Sequence, residues 1–172
     1  MLSKVYTAGV DGIDGYIVTV ECDISDGLSR FDVVGLPDAS VKEARERIRA
    51  AVCNAGFEFS EDTVVINMAP ASRRKEGTSY DLAMLLGVLR SSQQISSDSA
   101  FDKRLFIGEL SLSGSLRPVR GVLSMCIAAK EAGFCEIYVP KGNAPEASVV
   151  EGIDVYAVDG IGELVEHLCG KN

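Results

Sequence analysis

The sequence predicts an α+β fold, a two-layer α/β arrangement in which antiparallel N-terminal strands are followed by β-α units on the same sheet. Three observations carry that reading. The first third of the chain consists of short strand-like runs joined by turn residues. Two helical patterns occupy the middle, each behind a glycine turn. From Gly121 onward, strands and helices alternate to the end.

The elements follow in order. Leu2 to Ala8, Tyr16 to Ile24 and Phe31 to Val34 are the opening strands. In the second, Ile17, Val18 and Val20 mix with Thr19 and Glu21 at an approximate period of two. Gly12 and Gly15 bracket the first connection, and Ser25-Asp26-Gly27 supplies the next. Gly35-Leu36-Pro37-Asp38-Ala39-Ser40 breaks the strand pattern, and Ser40 with Glu43 fits a capping box. Val41, Ala44, Ile48, Ala51, Val52 and Ala55 then recur at helical spacing, and Gly56 ends that helix as a left-handed cap. Val64 to Met68 reads as a central strand. A helix from about Ser79 to Leu89 turns Leu82, Leu85, Leu86 and Leu89 inward. Residues 91 to 102 are polar and serine-rich, as a surface loop would be. Leu105 to Leu110 and Ser115 to Val119 form a hairpin around Ser113-Gly114. A helix from Gly121 to Ala132, a strand from Glu136 to Val139, a short helix from Asn143, a strand from Ile153 to Val158 and a helix from Ile161 to Leu168 complete the chain. There is no internal repeat, no linker and no second domain, so residues 1–172 read as a single unit.

Composition narrows the function. The chain has 172 residues, is 47% hydrophobic and 24% charged, and contains no Trp. These values suit a globular domain with a core of Val, Ile, Leu and Ala. No apolar run approaches the ~18 residues that span a bilayer. The N-terminus lacks the charged-then-apolar layout of a secretion signal, so the expected location is cytoplasmic. The formal charge of −8 argues against unaided DNA binding, which calls for a basic surface. The five cysteines, Cys22, Cys53, Cys126, Cys135 and Cys169, are scattered and accompanied by one histidine, His167. That pattern suggests buried free thiols and no zinc site. Asp11, Asp14, Asp23 and Asp26 lack the spacing of a calcium loop and read as turn residues.

Two motif regions bear on chemistry. No G-x-x-x-x-G-K-[ST] and no G-x-G-x-x-G behind a strand occurs, so this segment has no loop to cradle a nucleotide. In Lys75-Glu76-Gly77-Thr78-Ser79-Tyr80-Asp81-Leu82 a serine lies at a helix start behind a glycine turn. Its proton is too tightly held for nucleophilic work without a neighbouring base. Arg73-Arg74-Lys75, three adjacent cations in the preceding loop, form the foremost interaction candidate. The helix face carrying Lys42, Arg45 and Arg49, with Glu46 and Arg47, is the second.

The order of Lys75 to Leu82 and Gly108-Glu109-Leu110-Ser111-Leu112-Ser113-Gly114-Ser115-Leu116-Arg117-Pro118-Val119-Arg120-Gly121 resembles the proteolytic domain of Lon-type proteases. That family uses a serine–lysine dyad. Ser79 stands at the nucleophile position, but Leu123 stands where the lysine is required, and Lys130 lies about two turns beyond it. Tyr80 and Asp81 replace the small residues that leave room for an oxyanion pocket. Ser79 therefore reads as a residue of the first helical turn, with Thr78 as N-cap, at a position without working chemistry.

A longer set of motifs resembles a different family. Val33-Val34-Gly35-Leu36-Pro37-Asp38, the helix Val41 to Ala51, Asn67-Met68-Ala69-Pro70-Ala71, the two regions above and Pro140 with Asn143-Ala144 and Glu146-Ala147 resemble magnesium-chelatase-like AAA+ ATPases of the ComM/YifB type. The likeness covers roughly Leu2 to Leu168. It implies the N-terminal Lon-like domain of that family, with the ribosomal protein S5 domain 2-like fold. It further implies an ATP- and Mg-using module and a chelatase-like C-terminal module, both absent from this chain. The implied function is a non-catalytic accessory domain of a bacterial ring-forming ATPase whose whole protein acts on DNA, in branch migration during natural transformation. The implied partners are the downstream ATPase module, neighbouring subunits and DNA. A serine hydrolase using Ser79 with an unconventional base and a free-standing protein-binding domain stand as alternatives.

Overall fold

The long N-terminal hairpin is the spine of the molecule. The computed structural model describes residues 1–95 and 101–170. Strands β1 (Leu2–Asp11) and β2 (Asp14–Ser25) pair antiparallel, with Val5 opposite Val20 and Ala8 opposite Ile17. Gly12 takes φ +64°, the left-handed backbone that the tight turn between them requires. On one side, β4 (Thr63–Ala69) pairs antiparallel with β2, and β3 (Arg30–Val34) runs parallel to β4 at the edge. On the other, β5 (Arg104–Phe106), β8 (Glu136–Pro140) and β9 (Asp154–Val158) add in parallel. The resulting seven-stranded order is β3-β4-β2-β1-β5-β8-β9, mixed but mostly parallel. Antiparallel strands first and β-α units afterwards is the α+β arrangement expected.

The helices cover the sheet according to side-chain parity. Val5, Val18, Val20 and Cys22 join the larger core with α2 (Ala44–Asn54), α3 (Asp81–Ser91) and α6 (Ile161–Leu168). Ala8, Leu105, Ile137 and Val139 join the smaller one with α4 (Val122–Glu131) and α5 (Ala144–Ala147). Helix α3 is buried well beyond its expected leucine stripe: Ala83, Met84, Gly87 and Val88 are inside as well. It lies between the sheet and α2, so all its residues but Arg90 are buried. Helix α4 approaches β2 so closely that a Cβ on Gly15 would run into the Ser124 carbonyl.

Several local expectations change. The helix near residue 40 is capped by Asp38, whose Oδ1 accepts from the Val41 amide at 2.8 Å; Ser40 and Glu43 form no capping box. A short α1 (Ala39–Lys42) precedes α2, with Glu43 between them. Gly56, at φ +88°, does end α2 in the left-handed conformation. The strand expected over Leu105 to Leu110 divides at Ile107-Gly108. β5 stays in the main sheet, while β6 (Glu109–Leu110) pairs with β7 (Leu116–Arg117) in a separate hairpin. Backbone bonds from Gly108 N to the Ser79 carbonyl and from Leu82 N to the Gly108 carbonyl, both 3.1 Å, pull the chain onto the start of α3. Of the serine-rich segment, residues 96–100 lie outside the described residues. All five cysteines are thiols outside any disulfide, but Cys53, Cys135 and Cys169 are exposed. Only Cys22 and Cys126 are buried, and burial pushes the Cys22 thiol up to about 11.

Candidate functional site

Ser79 ends the glycine turn that leads into α3. Gly77 adopts φ +88°, and the helix itself begins at Asp81, whose amide bonds to the Thr78 carbonyl at 3.2 Å. Ser79 thus precedes the helix, and Thr78 acts through its carbonyl without a side-chain cap. Ser79 lines a groove of about 650 Å³ together with Asp38, Ser40, Glu76, Val119 and Arg120. It is 7% exposed, and no hydrogen bond to its Oγ occurs among the described residues.

The groove's acidic groups are engaged elsewhere. Both Asp38 carboxylate oxygens accept backbone amides, from Val41 at 2.8 Å and Gly77 at 3.1 Å. Glu76 pairs with Arg74 at 3.2 Å. Leu123, where the Lon resemblance expects the lysine, projects from α4 with 41% exposure and is not among the groove's lining residues.

Tyr80 and Asp81 do not act alike. Tyr80 lines the groove and is buried, with its hydroxyl beside Gly9. Burial and the neighbouring Tyr16 hydroxyl raise its pKa. Asp81, expected to crowd the serine, is turned into the core instead. It accepts from Arg47 Nε at 2.6 Å, Arg47 Nη2 at 2.9 Å and the Leu110 amide at 3.1 Å. Arg47 also donates to the Ser40 carbonyl at 2.8 Å, so it leaves the solvated helix face to which the sequence assigns it. Burial raises the Asp81 carboxyl, and Arg47 opposes that shift.

The basic run before Gly77 divides in the same way. Arg73 and Arg74 are exposed. The Arg73 guanidinium lies 4.4 Å from the centre of the Tyr16 ring, and the Tyr16 hydroxyl donates to the Arg74 carbonyl at 3.2 Å. Lys75 is not part of that surface. Its side chain is fully buried, and its ammonium donates to the carbonyls of Gly35, at 2.7 Å, and Pro70. Removal from water lowers its pKa. A run of three cations in sequence gives no sign that one of them, Lys75, turns inward while the other two stay exposed.

Lys42, Arg45 and Arg49 lie on a different surface. Arg45 pairs with Glu46 at 2.6 Å and Arg49 with Glu61 at 3.4 Å. Their guanidinium carbons lie 5.8 and 6.0 Å from the centre of the Phe59 ring. Lys42 borders a recess beside the edge strand β3. A further recess of about 230 Å³ lies by β9 and α6, lined by Tyr138, Tyr156 and His167. Its polar atoms are tied to one another: the Tyr138 hydroxyl lies 3.0 Å from Glu136 and 3.2 Å from His167 Nε2. Sequence reasoning did not identify Tyr16, Asp38 or Arg120 as parts of the groove region. The signals available were weak, an aromatic at a strand start and a carboxylate ahead of a helix.

Among the described residues no group of three His, Cys, Asp or Glu side chains could hold a metal ion. The sequence likewise holds no G-x-x-x-x-G-K-[ST] loop of the kind that cradles nucleotide phosphates. No helix among the described residues is long and apolar enough to cross a membrane.

Comparison with known proteins gives the frame for this geometry. An uncharacterized protein of Mycobacterium tuberculosis is 44% identical over 170 residues, covering 99% of this chain and 34% of the relative. Competence protein ComM of Haemophilus influenzae is 37% identical over 171 residues, 99% of this chain and 33% of the relative. Lon protease of Rhizobium meliloti is 24% identical over 169 residues, 90% of this chain and 20% of that protease. The chain spans about a third of the length of the first two relatives. The model of a family described as subunit ChlI of Mg-chelatase matches residues 20–143. The Lon likeness accounts for the scaffold around Ser79, and the chain belongs to the magnesium-chelatase-like family that includes ComM and YifB.

Proposed function

We propose that this chain is a non-catalytic accessory domain of a magnesium-chelatase-like ATPase, and that the whole protein acts on DNA. The observation that carries the non-catalytic part is the serine without a base. Ser79 Oγ faces a groove whose carboxylates are engaged, and Leu123 occupies the lysine position. The DNA part draws on the family, where ComM bears the name of a competence protein, and on the exposed Arg73–Arg74 loop beside the groove. On this reading ATP and Mg²⁺ belong to modules beyond the 172 residues, and the cytoplasm is the site of action. The partners are the protein's own ATPase module, neighbouring subunits of a ring, and DNA. Weak positive patches repeated around a ring add up, so the −8 charge of one domain does not oppose the reading.

The test is DNA binding by the intact protein across a salt series. Replacing Arg73 and Arg74 with Ala should weaken binding and flatten the dependence of log K on log salt by about two, one unit for each lost phosphate contact. Unchanged affinity and slope would remove the loop from the DNA interface. Labelling of Ser79 by a serine-directed phosphonate, lost in Ser79→Ala, would overturn the non-catalytic reading in favour of a serine hydrolase.

A further inference from the structure

Lys75 occupies a place where stability alone would not put a lysine. Its side chain is fully buried, and among the described residues it has no carboxylate partner. A methionine would fill similar volume without taking a charge out of water. What only the ammonium supplies is a set of donors, which reach the carbonyls of Gly35 and Pro70.

Those two carbonyls belong to the segments that frame the groove. The Lys75 backbone joins the same segments: its amide donates to Leu36 O and its carbonyl accepts from Asp38 N, both at 2.9 Å. Asp38 closes the clasp by accepting from the Gly77 amide at 3.1 Å while capping α1. On the outer side, Tyr16 holds the Arg74 carbonyl and underlies Arg73. The loop is therefore fixed from within by Lys75 and from the flank by Tyr16, and it leaves Arg73 and Arg74 in solvent.

We propose that Lys75 is a positioning residue, whose buried ammonium clasps residues 35–38 to residues 70–77 and so presents Arg73 and Arg74 in fixed register to the phosphate backbone of DNA. The proposal rests on the reading above that the Arg73–Arg74 loop meets DNA. Lys75 itself touches no phosphate. Its effect is preorganisation: a loop already ordered loses less freedom on binding, and backbone contacts set the register of a protein on its nucleic acid.

The experiment is a double-mutant cycle in the intact protein, read with a labelled single-stranded oligonucleotide and the corresponding duplex. Lys75→Met should weaken binding by about five- to twentyfold in the wild-type background. It should have less than about a twofold effect once Arg73 and Arg74 are Ala, because the residues it positions are gone. Equal losses in both backgrounds would overturn the proposal, since a global defect or a direct contact would act in each. Amide hydrogen exchange gives the second readout. Residues 73–77 should exchange faster in Lys75→Met while the amides of α3 and β4 keep their protection. Should Lys75→Met fail to fold, Asp38→Ala opens the same clasp from a half-buried position and is judged by the same criteria. Failure of the wild-type protein to bind DNA would overturn the DNA reading and this proposal together. DNA binding with unchanged local exchange in the variant would overturn the proposal alone.

Discussion

Arg47→Met tests whether the buried ion pair organises the core beneath the groove. The Asp81 carboxylate is fully buried and Arg47 keeps 17% of its side-chain exposure. Truncating the cation leaves a carboxylate in the core with the Leu110 amide as its remaining partner. Breaking a buried pair from one side costs about 3–5 kcal/mol. The partial exposure of Arg47 places this case near the lower end, at about 3 kcal/mol. For a chain of this length that corresponds to a fall in Tm of about 6–12 °C. The loss should depend on pH with a definite sign. Burial already raises the Asp81 carboxyl above its ordinary value, and removing Arg47 removes the group that opposes the shift. A raised carboxyl favours the protonated fold, so its contribution is present at low pH and is lost as pH rises through the folded value. Lowering the pH from neutrality to about 5 should therefore return part of the lost stability in Arg47→Met, and less in the wild type. Replacing the pair together, Arg47→Met with Asp81→Leu, should recover more than half of the loss, because no orphaned charge remains. Urea unfolding at the two pH values measures all of this. A loss below about 1 kcal/mol, or one that does not respond to pH, would refute the account of the pair.

Two further outcomes follow from the packing around the groove. Gly15→Ala should cost about 1–3 kcal/mol and exceed Gly9→Ala, because its obstacle is the Ser124 backbone, whereas Gly9 meets the movable ends of Tyr80 and Tyr16; thermal unfolding of the two variants gives the order, and a reversed order would contradict it. Leu123→Lys restores the dyad residue in name, but at a position with 41% exposure, where the ammonium stays solvated and is not tuned toward a general base. Serine-directed phosphonate should leave this variant unlabelled, and labelling that disappears on adding Ser79→Ala would show that the site needs only its lysine.

Legibility followed the range of the forces involved. The β1–β2 hairpin, the alternating elements after Gly121 and the cap at Gly56 were readable because periodicity and turn chemistry act over a few residues. The Asp38 cap is hard to read because Ser40 with Glu43 satisfies the same local rule two residues later, and the bond from Gly77, 39 positions away, favours the aspartate. Arg47 and Asp81 lie 34 residues apart, and nothing in either neighbourhood announces the pair. Arg73, Arg74 and Lys75 look alike in sequence. They separate only when the turn at Gly35 supplies an interior carbonyl for one of them.

Under the proposed function Ser79 is kept without a base, and the same turn supplies a physical reason. Its carbonyl accepts from Gly108, whose carbonyl in turn accepts from Leu82, so the serine backbone joins the start of α3 to the chain leaving β5. That linkage runs through the backbone and makes no use of the hydroxyl. The lysine position carries no comparable duty: Leu123 lies on an exposed helix face, where a change of side chain disturbs little packing. If the two halves of a dyad rest on such unequal structural support, the catalytic half with the weaker support can drift first while the fold persists. Under the proposed function, this asymmetry explains how a Lon-like scaffold keeps its serine and groove after losing the base, and why a serine alone is poor grounds for assigning hydrolysis to such a chain.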